Sequence, residues 1–186
     1  MTGFNMAGED VNISPFGRRG QRESRVPLEE VEDIEETIAA LLNPRSMMTA
    51  KYEAAQRLCN LARPRPGVGG RIELMGESIP PLVSMLRDTS CVSGQKIAAT
   101  TLARLAAPAM NDNQMSIAQH GGIDVLVMQI RQGNAIVRER ACQALCAVSE
   151  EGALRLRVAQ AGGINALIQL LEKGSPAARA HAAGAL

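Results

Sequence analysis

The chain has 186 residues, of which 46% are hydrophobic but only 2% aromatic, and this composition disfavours a β-sandwich and any aromatic surface for stacking nucleic-acid bases. Lys and Arg total 20 and Asp and Glu total 19, so the formal net charge of +1 provides no overall field that would draw the chain to nucleic acid or an anionic membrane. The sequence contains no long apolar run and no secretory leader, so we expect an intracellular protein, cytoplasmic or nuclear, without a membrane-inserted segment. An organellar assembly stays open as an alternative.

The N-terminal segment changes character at Pro27. Residues 1–26 have no apolar period and include the basic stretch GRRGQRESR, so we expect a flexible tail. Six acids follow between Glu29 and Glu36, and this pattern is typical of a helix start because carboxylates favour the positive end of the helix dipole. We interpret the acidic segment as a solvated helix N-terminus, with an acidic docking site as the alternative.

A repeat governs residues 27–186. Four apolar runs begin 44, 44 and 41 residues apart, and a leucine follows each run at nearly the same distance. Two independent landmarks with one period indicate repeated units, here about 27–66, 67–110, 111–152 and 153–186. The runs begin at Ile38, Leu82, Leu126 and Leu167, and the leucines are Leu58, Leu102, Leu145 and Leu186.

Within a unit, the pattern predicts a short, a medium and a long helix. The short pieces NQMSIAQH and LRLRVAQA stop at the Gly-Gly pairs 121–122 and 162–163, since Gly adopts the left-handed conformation that ends a helix. The segments IDVLVMQIRQG and INALIQLLEKG follow as second helices. The third helix, AIVRERACQALCAVS, is predicted to bury one face, formed by Ile136, Ala141, Leu145 and Val148.

These residues carry a family resemblance. Units of 41 to 44 residues that read GGI..L..LL and later A..AL.NLA resemble the armadillo repeat over roughly residues 30–186. HEAT repeats are the near competitor, but they usually have two helices per unit, and the extra short helix ending in Gly favours armadillo. The resemblance implies an all-α fold, a right-handed α-solenoid of armadillo-type three-helix repeats whose third helices line a concave face.

Two units depart from the family pattern. The first lacks a first helix and a Gly-Gly junction, so it is similar to an N-terminal cap. The second is preceded by RPRPGVGG, residues 63–70, whose glycines could suggest a phosphate-binding loop. Since no Gly-Lys-Ser/Thr follows and no strand precedes it, we interpret this segment as a long loop between repeats.

In the armadillo family the concave groove holds extended peptides, and an Asn in the LxNL signature commonly hydrogen-bonds the ligand backbone. The signature is intact only as LCNL, which gives Asn60, whereas LARL places Arg104 and LCAV places Ala147 there. The Trp that nuclear-import members of the family carry four residues earlier is absent. The resemblance therefore implies a mixed polar protein-binding groove, with Asn60 and Arg104 largely exposed. Its predicted residues are Tyr52, Gln56, Asn60, Lys96, Thr100, Arg104, Glu139 and Gln143.

The sequence offers little for catalysis or for a cofactor or metal. His120 and His181 lie 61 positions apart, with no Ser, Cys or acid at triad-like or metal-ligand spacing. Cys142 and Cys146 share a helix face but lack a third ligand, so we expect them to pack between neighbouring repeats. We interpret all four cysteines, which include Cys59 and Cys91, as small core residues.

The predicted function is a non-catalytic protein–protein interaction scaffold that binds an extended polypeptide segment along the third-helix groove, without nucleic acid or small-molecule substrate. The alternative is a permanent subunit of a larger assembly that contacts its partners through convex faces and the N-terminal tail. The fourth unit is expected to be incomplete, because its third helix begins at Pro176, is rich in Ala and stops at Leu186. We therefore expect a piece of a longer solenoid whose isolated chain self-associates or frays at this end.

Overall fold

A computed structural model describes residues 28–43, 45–63, 75–107 and 111–186, and these ranges form α-helices, one 3-10 turn and no strand. The predicted tail 1–26, the helix start at Pro27 and the linker after Arg63 lie outside the described residues. The 3-10 turn covers Met75–Ser78. The helices are α1 (Leu28–Leu42), α2 (Met48–Leu61), α3 (Ile79–Arg87), α4 (Val92–Leu105), α5 (Asn111–Gln119), α6 (Gly122–Gln132), α7 (Ala135–Ser149), α8 (Gly152–Gln160), α9 (Gly163–Lys173) and α10 (Pro176–Ala185).

The helices form two stacked layers. The third helices of successive units, α2, α4, α7 and α10, each pack against the next one in the row. The second helices α3, α6 and α9 form a parallel row behind them, and α5 and α8 are the short first helices of the last two units. This arrangement is the predicted all-α solenoid of armadillo type. None of the described helices combines the length and apolarity needed to span a membrane.

The leucine that recurs once in each unit is part of the hydrophobic core in the first three units but not in the fourth. Leu58, Leu102 and Leu145 are fully buried, and burying a side chain of this size contributes about 1.5–3 kcal/mol. Leu186, the leucine at the same repeat position in the fourth unit, is instead 58% exposed. It follows the last residue of α10, and no described helix covers it.

The repeated Gly-Gly junction has a separate physical reason at each glycine. Gly121 and Gly162 have φ angles of 73° and 77°, a left-handed conformation that costs other residues about 1–2 kcal/mol. A Cβ on the following residue, Gly122, would lie 2.7 Å from the backbone oxygen of Ile117, and Gly163 has the same contact with Val158. The first glycine is therefore needed for backbone geometry and the second for close packing of the short helix on the medium one.

The third helix α7 buries three of the four residues predicted for its buried face, namely Ala141, Leu145 and Val148. Ile136 is half exposed, which corrects the prediction, whereas Val137 is fully buried. The Asn134 side chain fixes the start of this helix, because its Oδ1 accepts a hydrogen bond of 2.9 Å from the Val137 N–H. Val137 lies four residues before the buried Ala141, the spacing that one helical face requires.

Candidate functional site

The predicted groove residues lie on three adjacent third helices, α2, α4 and α7. A cleft of about 480 Å³ opens between these helices. Six of the eight predicted residues line it, because positions four apart lie on one helical face and the three faces are turned toward the same space. The lining consists of Gln56, Cys59, Asn60, Arg63, Lys96, Ile97, Thr100, Arg104, Arg140 and Gln143.

Tyr52 and Glu139 are the two predicted residues that do not line the cleft. Tyr52 is half-buried and packs against the hydrophobic core. Glu139 accepts a hydrogen bond of 2.8 Å at Oε2 from the Ser175 hydroxyl, at the start of α10. Its other carboxylate oxygen lies 3.9 Å from Arg140 Nη2. The carboxylate is thus held toward the fourth unit.

Arg104 has a role that the sequence did not reveal. Its Nη1 donates hydrogen bonds to the backbone oxygen of Cys59 and, at 3.0 Å, to the sulfur of the same residue. Cys59 lies in the last turn of α2, where carbonyl oxygens lack partners within the helix. Arg104 therefore joins the second unit to the first, and it is only half-exposed rather than largely exposed as expected. Asn60 is exposed, in agreement with the expectation.

The neutral polar side chains of the cleft differ in their availability. The Thr100 hydroxyl donates to the backbone oxygen of Lys96 at 2.7 Å, so it is bonded within its own helix. Gln143 accepts a hydrogen bond of 3.1 Å from Arg140 Nη1. Within the described part of the chain, the amides of Gln56 and Asn60 have no hydrogen-bond partner. Each can donate to and accept from an external backbone.

In the described part of the chain, every charged residue that lines the cleft is positive: Arg63, Lys96, Arg104 and Arg140. Sequence reasoning missed two of them. Arg63 was included in the linker RPRPGVGG, but it follows the end of α2 and lines the cleft. Arg140 could have been found, since it lies three residues before Gln143 on α7 and so shares its face.

The cysteines have structural positions of different kinds. Cys142 is fully buried, and its sulfur lies 3.7 Å from the backbone oxygen of Ala178 on α10. Burial raises the pKa of this thiol to about 12, and burial also raises the pKa of Cys146. Both lie against α10 of the next unit, as predicted, since the sulfur of Cys146 would lie 3.4 Å from a Cβ added at Gly184. Cys146 is only half-buried, however, which corrects its interpretation as a core residue. Cys91 is a partial correction, because it is only half-buried and its sulfur caps α4 by accepting from the Gly94 N–H.

The two histidines lie in different units and do not line the cleft. His120 is exposed at the end of α5, and its Nδ1 lies 2.8 Å from the backbone oxygen of Ser116. His181 is half-buried on α10. In residues 28–43, 45–63, 75–107 and 111–186, no group of three His, Cys, Asp or Glu side chains is arranged to hold a metal ion.

Comparisons with known proteins bear on the fold. No family model matches the sequence, and no curated protein does. Solved structures do match. A crystal structure of an engineered protein has a TM-score of 0.72 at 24% identity, over 82% of this chain and 60% of the other. A designed armadillo repeat protein in complex with the peptide (KR)4 has a TM-score of 0.69 at 20% identity, over 82% and 62%.

Computationally designed armadillo repeat proteins for modular peptide recognition give a TM-score of 0.72 at 20% identity, over 84% of this chain and 67% of theirs. The chain thus spans about two thirds of the length of these structures. At such identities the likeness concerns the fold and not the ligand. Because the similarity covers most of the chain and the third helices are stacked in one row, the chain has the armadillo-repeat fold.

Proposed function

We propose that this protein is a non-catalytic scaffold that binds an extended segment of another protein in the cleft formed by α2, α4 and α7. The observation that carries the proposal is the cleft itself. Three successive repeats contribute polar side chains to one open space of about 480 Å³. A continuous surface built from successive repeats suits a ligand that is itself repetitive along its length, such as an extended polypeptide backbone.

The chemistry of the cleft supports a peptide ligand. Asn60 and Gln56 are one helical turn apart on α2, and each presents an amide that can pair with both the N–H and the C=O of a peptide unit. Ile97 on α4 also lines the cleft, although only 6% of this residue is exposed. Two of the similar structures are described as peptide binders, which agrees with the proposal for this fold.

The test is selection from a display library of random peptides with the full chain as bait, followed by fluorescence anisotropy on the selected peptides. Replacing Asn60 by Ala should weaken binding by about 1–3 kcal/mol, about five- to 150-fold, because the peptide loses a hydrogen-bonded contact. Asn165→Ala is the matched control, since Asn165 is also exposed but lies on α9 and does not line the cleft.

The two variants should unfold within about half a kcal/mol of the parent chain, since both side chains are exposed. Arg104 is unsuitable as the first probe because its replacement removes the link to Cys59 as well as a contact with the ligand. Selected peptides that bind Asn60→Ala as tightly as the parent chain would place the binding site elsewhere and refute the proposal.

A second candidate function is a permanent subunit of a larger assembly, and one observation favours it. Apolar side chains are exposed on two helices that pack against each other, α8 and α9: Leu156 is 67% exposed, Ile164 46% and Ile168 43%. Exposed apolar surface of this kind commonly marks a protein contact. Purification from the native cells separates the two functions. A permanent subunit would emerge with partners at fixed stoichiometry in high salt, whereas a peptide receptor would release its ligand.

A further inference from the structure

We infer that the segment bound in the cleft is acidic: an extended stretch of another protein that carries Asp or Glu side chains. This inference rests on the proposed function, since it specifies the ligand of the same cleft. The observation that supports this inference is the sign of the charged side chains in the cleft. Among the described residues that line the cleft, four are cations and none is an acid, although the whole chain has a net charge of only +1.

The cations are available to a ligand. Among the described residues, none of Arg63, Lys96 and Arg104 is paired with an acidic side chain. Arg140 has one acidic neighbour, Glu139, but the atoms are 3.9 Å apart and both side chains are partly exposed, at 37% and 25%. Such solvent-exposed ion pairs contribute little free energy. Arg140 can therefore exchange this contact for one with a bound carboxylate.

Arg104 is held ready for a carboxylate. Its Nη1 is anchored on the Cys59 backbone oxygen, which restricts the long side chain before any ligand arrives. The Nε and Nη2 donors of Arg104 make no hydrogen bond within the described part of the chain. A guanidinium presents these donors as a planar fork that matches the two oxygens of a carboxylate. Because the side chain is already ordered, less conformational entropy is lost on binding.

The spacing of the helices fits an extended segment with several acids. Packed helices lie about 8–10 Å apart, and an extended chain rises about 3.3 Å per residue. An extended ligand therefore needs about six residues to cross from α2 to α7. It meets the next helix after every two or three of its residues. We expect acidic side chains at about every second or third position of the ligand, so that they meet Arg63, Arg104 and Arg140 in turn.

Nucleic acid is a poorer match for the same cations. The cleft lining that the structure describes contains no aromatic side chain, whereas single strands are usually held by stacking of bases on aromatic rings. The acids of α1, including the exposed Glu35 and Glu36, lie in a helix of this chain, so a second copy would present them on a helix rather than on an extended strand. The experiment below tests both alternatives, nucleic acid and a second copy of this chain.

The experiment uses the full chain and three labelled peptides of about twelve residues, in which Ser alternates with Glu, Gln or Lys. Anisotropy titrations at low and physiological salt measure their affinities. We expect the Glu peptide to bind at least about tenfold more tightly than the Gln peptide and the Lys peptide not to bind. The affinity for the Glu peptide should fall as salt is added, because screening weakens contacts between exposed charges.

Charge-reversal variants test whether the Glu peptide binds in the cleft. Lys96→Glu and Arg63→Glu should each weaken the Glu peptide about tenfold, since each turns an attraction into a repulsion. Lys173→Glu and Arg179→Glu are the matched controls, because they make the same change at exposed positions outside the cleft and should shift affinity less than about twofold. All four replaced side chains are exposed, so the variants should fold as the parent chain does.

The outcomes distinguish this inference from the proposed function. If library peptides that depend on Asn60 prove neutral or basic, and Lys96→Glu does not weaken them, the scaffold function stands and the acidic ligand is refuted. If no peptide depends on any cleft residue, both fail. A single-stranded thymidine oligonucleotide that displaces the Glu peptide at lower concentration than the unlabelled peptide does would replace the inference with nucleic acid. Concentration-dependent dimerisation that both Lys96→Glu and Glu35→Lys abolish would replace it with a second copy.

Discussion

The second helices of the third and fourth units, α6 and α9, have closely similar sequences and different surroundings. Both follow a glycine with a φ angle near 75°, at Gly121 and Gly162, and both start with Gly-Ile. Their equivalent isoleucines nevertheless differ, because Ile123 is 3% exposed and Ile164 is 46% exposed. The local conformation is therefore the same while the burial is not.

The neighbouring helices explain this difference. Helix α6 lies between α3 and α9, which cover it from both sides. Helix α9 packs against α6, α8 and α10, and the described residues place no further unit on its other side. A repeated sequence thus sets the shape of each unit, whereas the energetic role of a given residue depends on whether another unit lies beside it.

The largest expected effect comes from the isoleucine pair. Ile123→Ala should reduce the free energy of unfolding by about 2–5 kcal/mol, since it removes a buried side chain and leaves a cavity, whereas Ile164→Ala should cost about 1 kcal/mol or less. Urea denaturation followed by circular dichroism measures both. Equal losses in the two variants would mean that Ile164 is covered in solution, for instance by self-association.

The glycine pair should behave in the opposite way, with equal effects in both units. Gly121→Ala and Gly162→Ala should each cost about 1–2 kcal/mol, because both residues adopt left-handed φ angles. A Cβ at residue 162 would also lie 2.5 Å from Arg131 Nη2, but the end of that long side chain can move. The same denaturation assay applies, and a much larger loss at one position would show that packing rather than φ dominates.

A third prediction concerns a residue that differs between the two helices. Gln129 is buried on α6, and its Nε2 donates a hydrogen bond of 2.8 Å to the backbone oxygen of Leu86 on α3, whereas the fourth unit has Leu170 at the equivalent position. Gln129→Leu should cost about 1–2 kcal/mol, because the Leu86 oxygen keeps only the longer contact of 3.4 Å from Gln95. Gln132→Leu, at an exposed position of the same helix, is the control and should change stability by less than about half a kcal/mol.

The smallest expected effect tests how tightly the third and fourth units are joined at Cys142. Burial raises the pKa of this thiol from 9.0 to about 12, so the folded state keeps a proton that the unfolded chain releases. The resulting contribution to stability is fully present below pH 9 and is lost as pH rises toward about 12. Between pH 8 and pH 10, the parent chain should lose about 1 kcal/mol more stability than Cys142→Ala does. Identical pH dependence in the two proteins would indicate that the thiol is accessible to water.

The candidate site was predictable in part. The LCNL signature and the spacing of four residues correctly placed Gln56, Asn60 and Lys96 around one space, because residues of one helical face are related by their positions in the sequence alone. Glu139 was misplaced because its partner, Ser175, is 36 residues away. Arg104 was expected to be largely exposed, but it bonds to Cys59, which is 45 residues away in another unit. Neither partner could be read from local periodicity.

The sequence by itself determined the features that depend on neighbouring residues along the chain. These are the length of the repeat, the Gly-Gly junctions, the order of the helices and therefore the armadillo-type fold, since dihedral angles and helical faces are local properties. The tertiary structure decided what depends on residues from different units. It buried Ile123 and exposed Ile164, anchored Arg104 on Cys59, and brought Arg63 and Arg140 into one cleft. Burial and charge clusters are sums over neighbours in space, and those neighbours lie about one repeat or more apart in the sequence.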